Sequence, residues 1–275
     1  MSTDRWLHLD GTANTRDLGG LPTTDGGTTA FGRVLRSDNL QDLSPADVHQ
    51  LVDELGLTEV LDLRTTAEIL LEGRGPLREV AGVTHRHAGL LPERGLRTDV
   101  FAAELDDAEV REQLPADWGE SVLPRQVGPD DEGEPPAVRS YLGYLTDSPD
   151  QVVAALRSLA TGGPGAAVVH CAAGKDRTGV VCALALAVAD VEPEAIVADY
   201  ALTAEVIDAI VARLAATSTY AQDMARPIAH HTPRAETMRR VLELVDERWG
   251  GPLGWLEQHG FGPDEQAALR SRLRS

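Results

Sequence analysis

The decapeptide HCAAGKDRTG, residues 170–179, gathers the chain's most reactive groups. It holds one of two cysteines, Cys171, and the only lysine, Lys175, with Arg177 six residues beyond the thiol. An apolar run, GAAVVH (165–170), comes before it, and an alanine- and valine-rich stretch, VVCALALAVA, comes after. That order reads as strand, glycine-containing loop and buried helix. The loop then lies at a strand's C-terminal end and a helix's N-terminus, where unsatisfied N–H groups and the helix dipole favour anions. A thiol in that field is favoured as thiolate. A guanidinium coming round the loop offers a planar fork for two phosphate oxygens.

The chemistry that needs this set is phosphoryl transfer to sulfur. Cys171 attacks phosphorus in line, while Arg177 and the amides of Ala172, Ala173, Gly174 and Lys175 hold the equatorial oxygens. Water then releases phosphate from a phosphocysteine. Loop and arginine supply the electrostatics, so no metal or other cofactor is called for. Lys175, a compact ammonium at the pocket mouth, suits a second phosphate or an acidic flank of the substrate. Three rivals are weaker. A buried structural cysteine explains neither Arg177 nor Lys175. An idle phosphate-reading module needs no complete chemical set. Sulfur transfer or redox chemistry would want Cys182 as partner, yet Cys182 lies three helical turns away, too far for a bridge.

The elements that must hold this loop follow an alternating pattern. FGRVLRS (31–37), TEVLDLR (58–64), GVTHRHAGL (82–90) and GAAVVH (165–170) read as strands. Ser44 and Pro45 open a helix whose Val48, Leu51, Val52 and Leu55 share one face. Residues 140–159 predict a helix interrupted near DSPD (147–150), and 177–189 a helix apolar on every face and therefore central. ALTAEVIDAIVARLAA (201–216) is amphipathic, and two more helices close the chain. Strands alternating with helices imply an α/β fold with a mostly parallel central sheet flanked by helices. Residues 92–137 are acidic, with Pro and Gly at the far end, and read as an insertion outside the core. His85, His87, His230 and His231 lack the further ligands a metal site needs and read as packing or surface residues.

The 275 residues carry a formal charge of −19, which excludes nucleic acid or an anionic membrane as a general partner. Any phosphate must be captured locally. Two cysteines make no disulfide framework, the N-terminus MSTDRWLHLDG lacks the sections of a signal peptide, and no run is long enough to span a bilayer. The default location is the cytoplasm, with export by an unusual route left open.

HCAAGKDRTGV resembles the signature loop of cysteine-dependent tyrosine phosphatases, and more narrowly that of the bacterial PtpB type. NTRDLGG (14–20), RSDNL (36–40), LDLRTTAE (61–68), ADYALT (198–203) and the C-terminal LVDERWG stretch are similar to family patterns. The resemblance spans most of the chain, 92–137 least, and implies a single phosphatase domain over 1–275. It implies Cys171 as nucleophile, Arg177 as phosphate clamp, Thr178 as hydrogen-bond donor to the thiolate, and His170 as orienting the loop and favouring the thiolate. It implies Asp176 as general acid, since no W-P-D motif is present; Asp62, Asp117, Asp130 and Asp131 are the fallbacks. Phosphotyrosine is the expected substrate, with phosphoserine, phosphothreonine or phosphoinositides beside it. Asp17 is expected either in a turn or paired with Arg16 under the signature loop. Arg64 either buttresses the site or only makes a salt bridge. Residues 196–231 read as core packing or, with the resemblance, as a helical lid.

Overall fold

The computed structural model describes residues 4–91 and 133–274. In chain order the strands and helices are β1 (Arg16–Asp17), β2 (Val34–Ser37), α1 (Pro45–His49), β3 (Leu57–Asp62), α2 (Thr66–Glu72), β4 (Thr84–His87), α3 (Pro136–Asp147), α4 (Pro149–Thr161) and β5 (Ala166–His170). The second half is helical: α5 (Asp176–Val188), α6 (Pro193–Ala201), α7 (Ile207–Ala215), α8 (Ala221–Met224), α9 (Ala235–Trp249), α10 (Gly251–Gln258) and α11 (Pro263–Arg274). Of the acidic stretch 92–137, residues 92–132 lie outside the described residues, and with them the fallback acids Asp117, Asp130 and Asp131.

The five strands lie in the order β1-β2-β5-β3-β4, with β1 antiparallel and the other four parallel. β5 is central, and all five of its residues are buried because both faces are covered. The two-residue period sorts them: Ala167 and Val169 join the larger core with α3, α4 and α5, while Ala166 and Val168 face Leu35, Leu51 and Leu77 in a second one. The apolar helix expected at 177–189 forms as α5 at Asp176–Val188 and is buried on nearly every face. Its N-terminus meets the C-terminal end of β5 across the 171–175 loop, the crevice where α/β sheets bind ligands.

Local signals account for most boundaries. Ser44 and Asp47 form a reciprocal capping box, and so do Thr65 and Glu68. The helix begun at Ser44 loosens into a π turn over Gln50–Glu54 before Gly56 at φ +68°. Ser148 and Pro149 split the expected 140–159 helix into α3 and α4. The expected 201–216 helix starts as a tighter 3₁₀ turn over Leu202–Val206, then runs on as α7. No helix among the described residues is long and apolar enough to cross a membrane.

Candidate active site

The loop from Cys171 to Lys175 is held from behind by its carbonyl groups. Asn39 N–H donates to the Ala172 carbonyl at 3.0 Å, and Asn14 Nδ2 donates to Ala173 at 2.9 Å and Gly174 at 3.2 Å. Arg36 Nη2 donates to the Gly174 carbonyl at 2.8 Å. With the carbonyls drawn outward, the amides of Ala172, Ala173, Gly174 and Lys175 have no acceptor among the described residues. A run of such N–H groups beside a helix N-terminus is an anion cradle. Gly174 makes the curve: its φ is +62°, and a Cβ there would stand 2.4 Å from the Ser37 carbonyl oxygen.

The motifs quoted from the sequence converge behind this loop. Asp199, from ADYALT, receives Arg36 at 2.6 Å, Arg16 at 3.3 Å and also Arg5. Burial alone would raise its pKa, but the arginines outweigh burial and hold it far below the usual carboxylate range. Arg16 also bonds Asn14 and Thr203, so the N-terminal motif does pack under the loop through its arginine. Asp17 does not. Its two oxygens accept from Gly19 N–H and Gly32 N–H, both at 2.7 Å, so of the two alternatives read for Asp17, a turn or a pair with Arg16, the turn is formed, away from the site.

Arg64 buttresses the site. It is fully buried, donates to Asp62 at 2.6 Å and to Asn39 Oδ1 at 3.0 Å, and Asn39 in turn holds the Ala172 carbonyl. Asp62 is thereby committed; the Arg64 guanidinium overcomes the effect of burial and keeps it ionised, so this fallback acid has no proton to give. His87, a buried packing residue as expected, bonds the Arg64 carbonyl at 2.7 Å. His170 Nδ1 stands 3.4 Å from the Cys171 carbonyl oxygen and Nε2 3.5 Å from Asp62. Burial pushes the His170 imidazole down to about 4 against the pull of Asp62, so the ring is neutral at pH 7. Its contact with the Cys171 carbonyl is therefore made by an uncharged ring. The Thr178 hydroxyl is buried without a partner, so its expected bond to the Cys171 sulfur is not formed here.

Arg177 is gripped by a residue that sequence reading passed over. Glu68 of α2 receives Arg177 Nη1 at 2.5 Å and Nη2 at 2.9 Å, and the Leu63 carbonyl takes Nη1 as well at 3.3 Å. A guanidinium has five N–H donors, so two remain on its Nε–Nη2 side for an oxyanion. The capping-box spacing Thr65-x-x-Glu68 was legible, but not that the glutamate serves two groups at once. Tyr220 adds a third, donating to Glu68 Oε1 at 2.9 Å.

Asp176 opens α5, and its Oδ1 accepts from Tyr141 at 2.5 Å. The single Tyr141 proton is spent on that bond, so the Tyr200 hydroxyl, 2.8 Å away, donates to Tyr141. Oδ2 faces Lys175 Nζ at 3.6 Å. Lys175 is not a free cation at the mouth: its Nζ donates to the His231 carbonyl at 2.7 Å.

Over the loop lies an apolar cover. Ile207, Ile210 and Leu214 of α7, with Tyr220, pack on Ala172 and against Ala173. Cys171 is left 2% exposed and Arg177 6%, too little for a phosphate monoester to reach the sulfur in this arrangement. Cys182 is core inside α5; burial raises its thiol to about 11, and both cysteines are free.

A model of the tyrosine phosphatase family matches residues 7–275. The chain belongs to that family. The triple specificity protein phosphatase PtpB of Mycobacterium tuberculosis is 28% identical over 96% of this chain and 98% of its own length. A tyrosine-protein phosphatase of Nostoc commune is 30% identical over 53% of this chain and half of its own. The resemblance to PtpB-type enzymes read from the motifs therefore holds along the whole chain, and the protein is a tyrosine phosphatase. The α/β fold with its largely parallel sheet agrees with that membership.

Proposed function

We propose that this phosphatase hydrolyses phosphotyrosine through a phosphocysteine on Cys171. The observation that carries the reading is the loop itself: three consecutive carbonyls are tied back to Asn39, Asn14 and Arg36, and the amides between them are left for an oxyanion. Arg177, held at Nη1 and Nη2 by the two Glu68 oxygens, presents its remaining edge to the same anion. Cys171 attacks phosphorus, the bond to the tyrosyl oxygen breaks, and Asp176 protonates that oxygen. Tyr141 holds Oδ1, which leaves Oδ2 to carry the proton. Asp176 then takes a proton back from the water that attacks the phosphocysteine. Thr178, whose buried hydroxyl has no partner, bonds the sulfur once the loop is occupied.

Within 196–231 the two readings divide: Ile196, Val197 and Tyr200 are main core and Asp199 belongs to the network behind the loop, while the cover from Ile207 to His231 is read as a lid. A buried nucleophile requires an opening, and the outer part of the segment, Ala221 to His230, is largely exposed. The name triple specificity carried by the Mycobacterium relative supports activity on more than phosphotyrosine here as well.

Asp176→Asn tests the acid. It is expected to slow an alkyl phosphate by about 10²–10³-fold and an activated aryl phosphate much less, because only the poor leaving group needs the proton. Equal slowing of both assigns the acid to another residue.

A further inference from the structure

On the outer side of Lys175 and Asp176 a cleft of about 550 Å³ separates the α5 N-terminus from the segment 223–234. Its walls include Tyr141 and Tyr200, and its charged rim is formed by Lys175, Asp176, Asp223, Arg226 and Arg234. Arg226 and Arg234 are exposed and make no ion pair among the described residues, whereas Arg36, Arg239, Arg240 and Arg274 are matched to carboxylates. Asp176 is engaged by Tyr141 and Lys175. Lys175 is spent on Asp176 and the His231 carbonyl, which leaves Arg226 and Arg234 against the single carboxylate of Asp223 along this cleft, in a molecule of net charge −19. A local surplus of positive charge against that background is a recognition feature, since the global field repels any anion that no local site attracts.

Location decides what the cleft receives. It opens on the carboxyl group that protonates the departing oxygen, so its occupant is the leaving-group side of the substrate, not the phosphoryl group. We infer that Arg226 and Arg234, on the far wall of this cleft, form a subsite for an acidic residue flanking the phosphotyrosine of a peptide substrate, engaged as the lid closes over the bound peptide. This rests on the reading of Cys171 and Asp176 given above. Aromatic and proline walls suit a peptide backbone and side chains, while the strongly negative surface opposes approach to an anionic bilayer.

The test compares phosphotyrosine peptides of equal length with glutamate, alanine or arginine flanks, alongside p-nitrophenyl phosphate, for the wild type and the double variant Arg226→Glu/Arg234→Glu. The wild type should turn over the glutamate peptide about tenfold more efficiently than the alanine peptide, as kcat/KM, with the advantage shrinking as salt rises. The double variant should erase or invert that order, judged against each enzyme's own rate on p-nitrophenyl phosphate. Equal efficiency on the glutamate and alanine peptides in the wild type overturns the subsite, and so does a preference that survives the double reversal. Faster hydrolysis of phosphoinositide in phosphatidylcholine vesicles than of the glutamate peptide, with the same dependence on the two arginines, replaces the peptide with a lipid headgroup and overturns the assignment. Failure to hydrolyse any phosphotyrosine peptide removes the underlying functional reading instead, an outcome distinct from lost preference with turnover intact.

Discussion

The two sides of the signature loop are built by different physics. Behind it, Asn14, Arg16, Arg36, Asn39 and Asp199 make a buried, hydrogen-bonded network that reaches three carbonyls of the loop. In front, Ile207, Ile210, Leu214 and Tyr220 cover it with apolar contact, tethered by a few polar links: Tyr220 to Glu68, Lys175 to His231, and Arg213 to Asp42 at 3.1 Å. A buried polar network is directional and fails when one member goes, whereas apolar contact is non-directional and can separate and re-form. The rear therefore fixes the geometry of the cradle, and the front can control access to it.

The largest effect is expected from breaking the rear. Asp199→Ala leaves Arg16 and Arg36 buried without their counter-charge and should cost about 3–5 kcal/mol in urea denaturation, with activity falling alongside. A loss below about 1 kcal/mol would mean that the network is not what holds the loop. Next comes pH. His170 is held neutral in the folded protein, with its pKa pushed down to about 4 from 6.5, so on acidification the unfolded chain binds a proton that the folded one refuses. Stability from this group is complete above pH 6.5 and is lost as pH falls toward 4, by up to about 3 kcal/mol. His170→Gln should flatten that part of the stability–pH curve. The smallest effect belongs to the front. Tyr220→Phe removes one hydrogen bond to Glu68 and should speed amide exchange in 207–231 by about tenfold while leaving α5 protected. Exchange that accelerates equally in both segments would deny the contrast between the two sides.

Much of this was legible in particular residues. The continuous apolar run after Arg177 marks a helix with no solvent face, and GAAVVH marks a strand with both faces covered; these two elements fix the position of the loop. Cys171 and Arg177 were legible because each supplies something no other residue type supplies there, a soft nucleophile and a planar fork; Gly174 was legible only as part of a glycine-containing loop. What spacing could not reveal is which charge meets which across the fold. For Asp17 the sequence left a turn and a pair with Arg16 equally open; neighbours on a strand point to opposite faces, and Asp199 pairs with Arg16 from 183 residues away. Glu68 went unread: the spacing Thr65-x-x-Glu68 signals a helix cap at most, and only the fold brings its carboxylate to Arg177 as well. Lys175 looked free at a pocket mouth because the sequence does not show that the His231 carbonyl folds over it.

The central claim is that the phosphoryl group passes through the Cys171 sulfur. Mixing the enzyme with a ³²P-labelled phosphotyrosine peptide, quenching in acid within milliseconds and mapping the labelled peptides tests it directly. The account predicts label on the peptide containing Cys171, accumulating further in Asp176→Asn if release of phosphate is slowed more than attack, and absent in Cys171→Ser. Undiminished turnover in Cys171→Ser, or label found only on another residue, would contradict it.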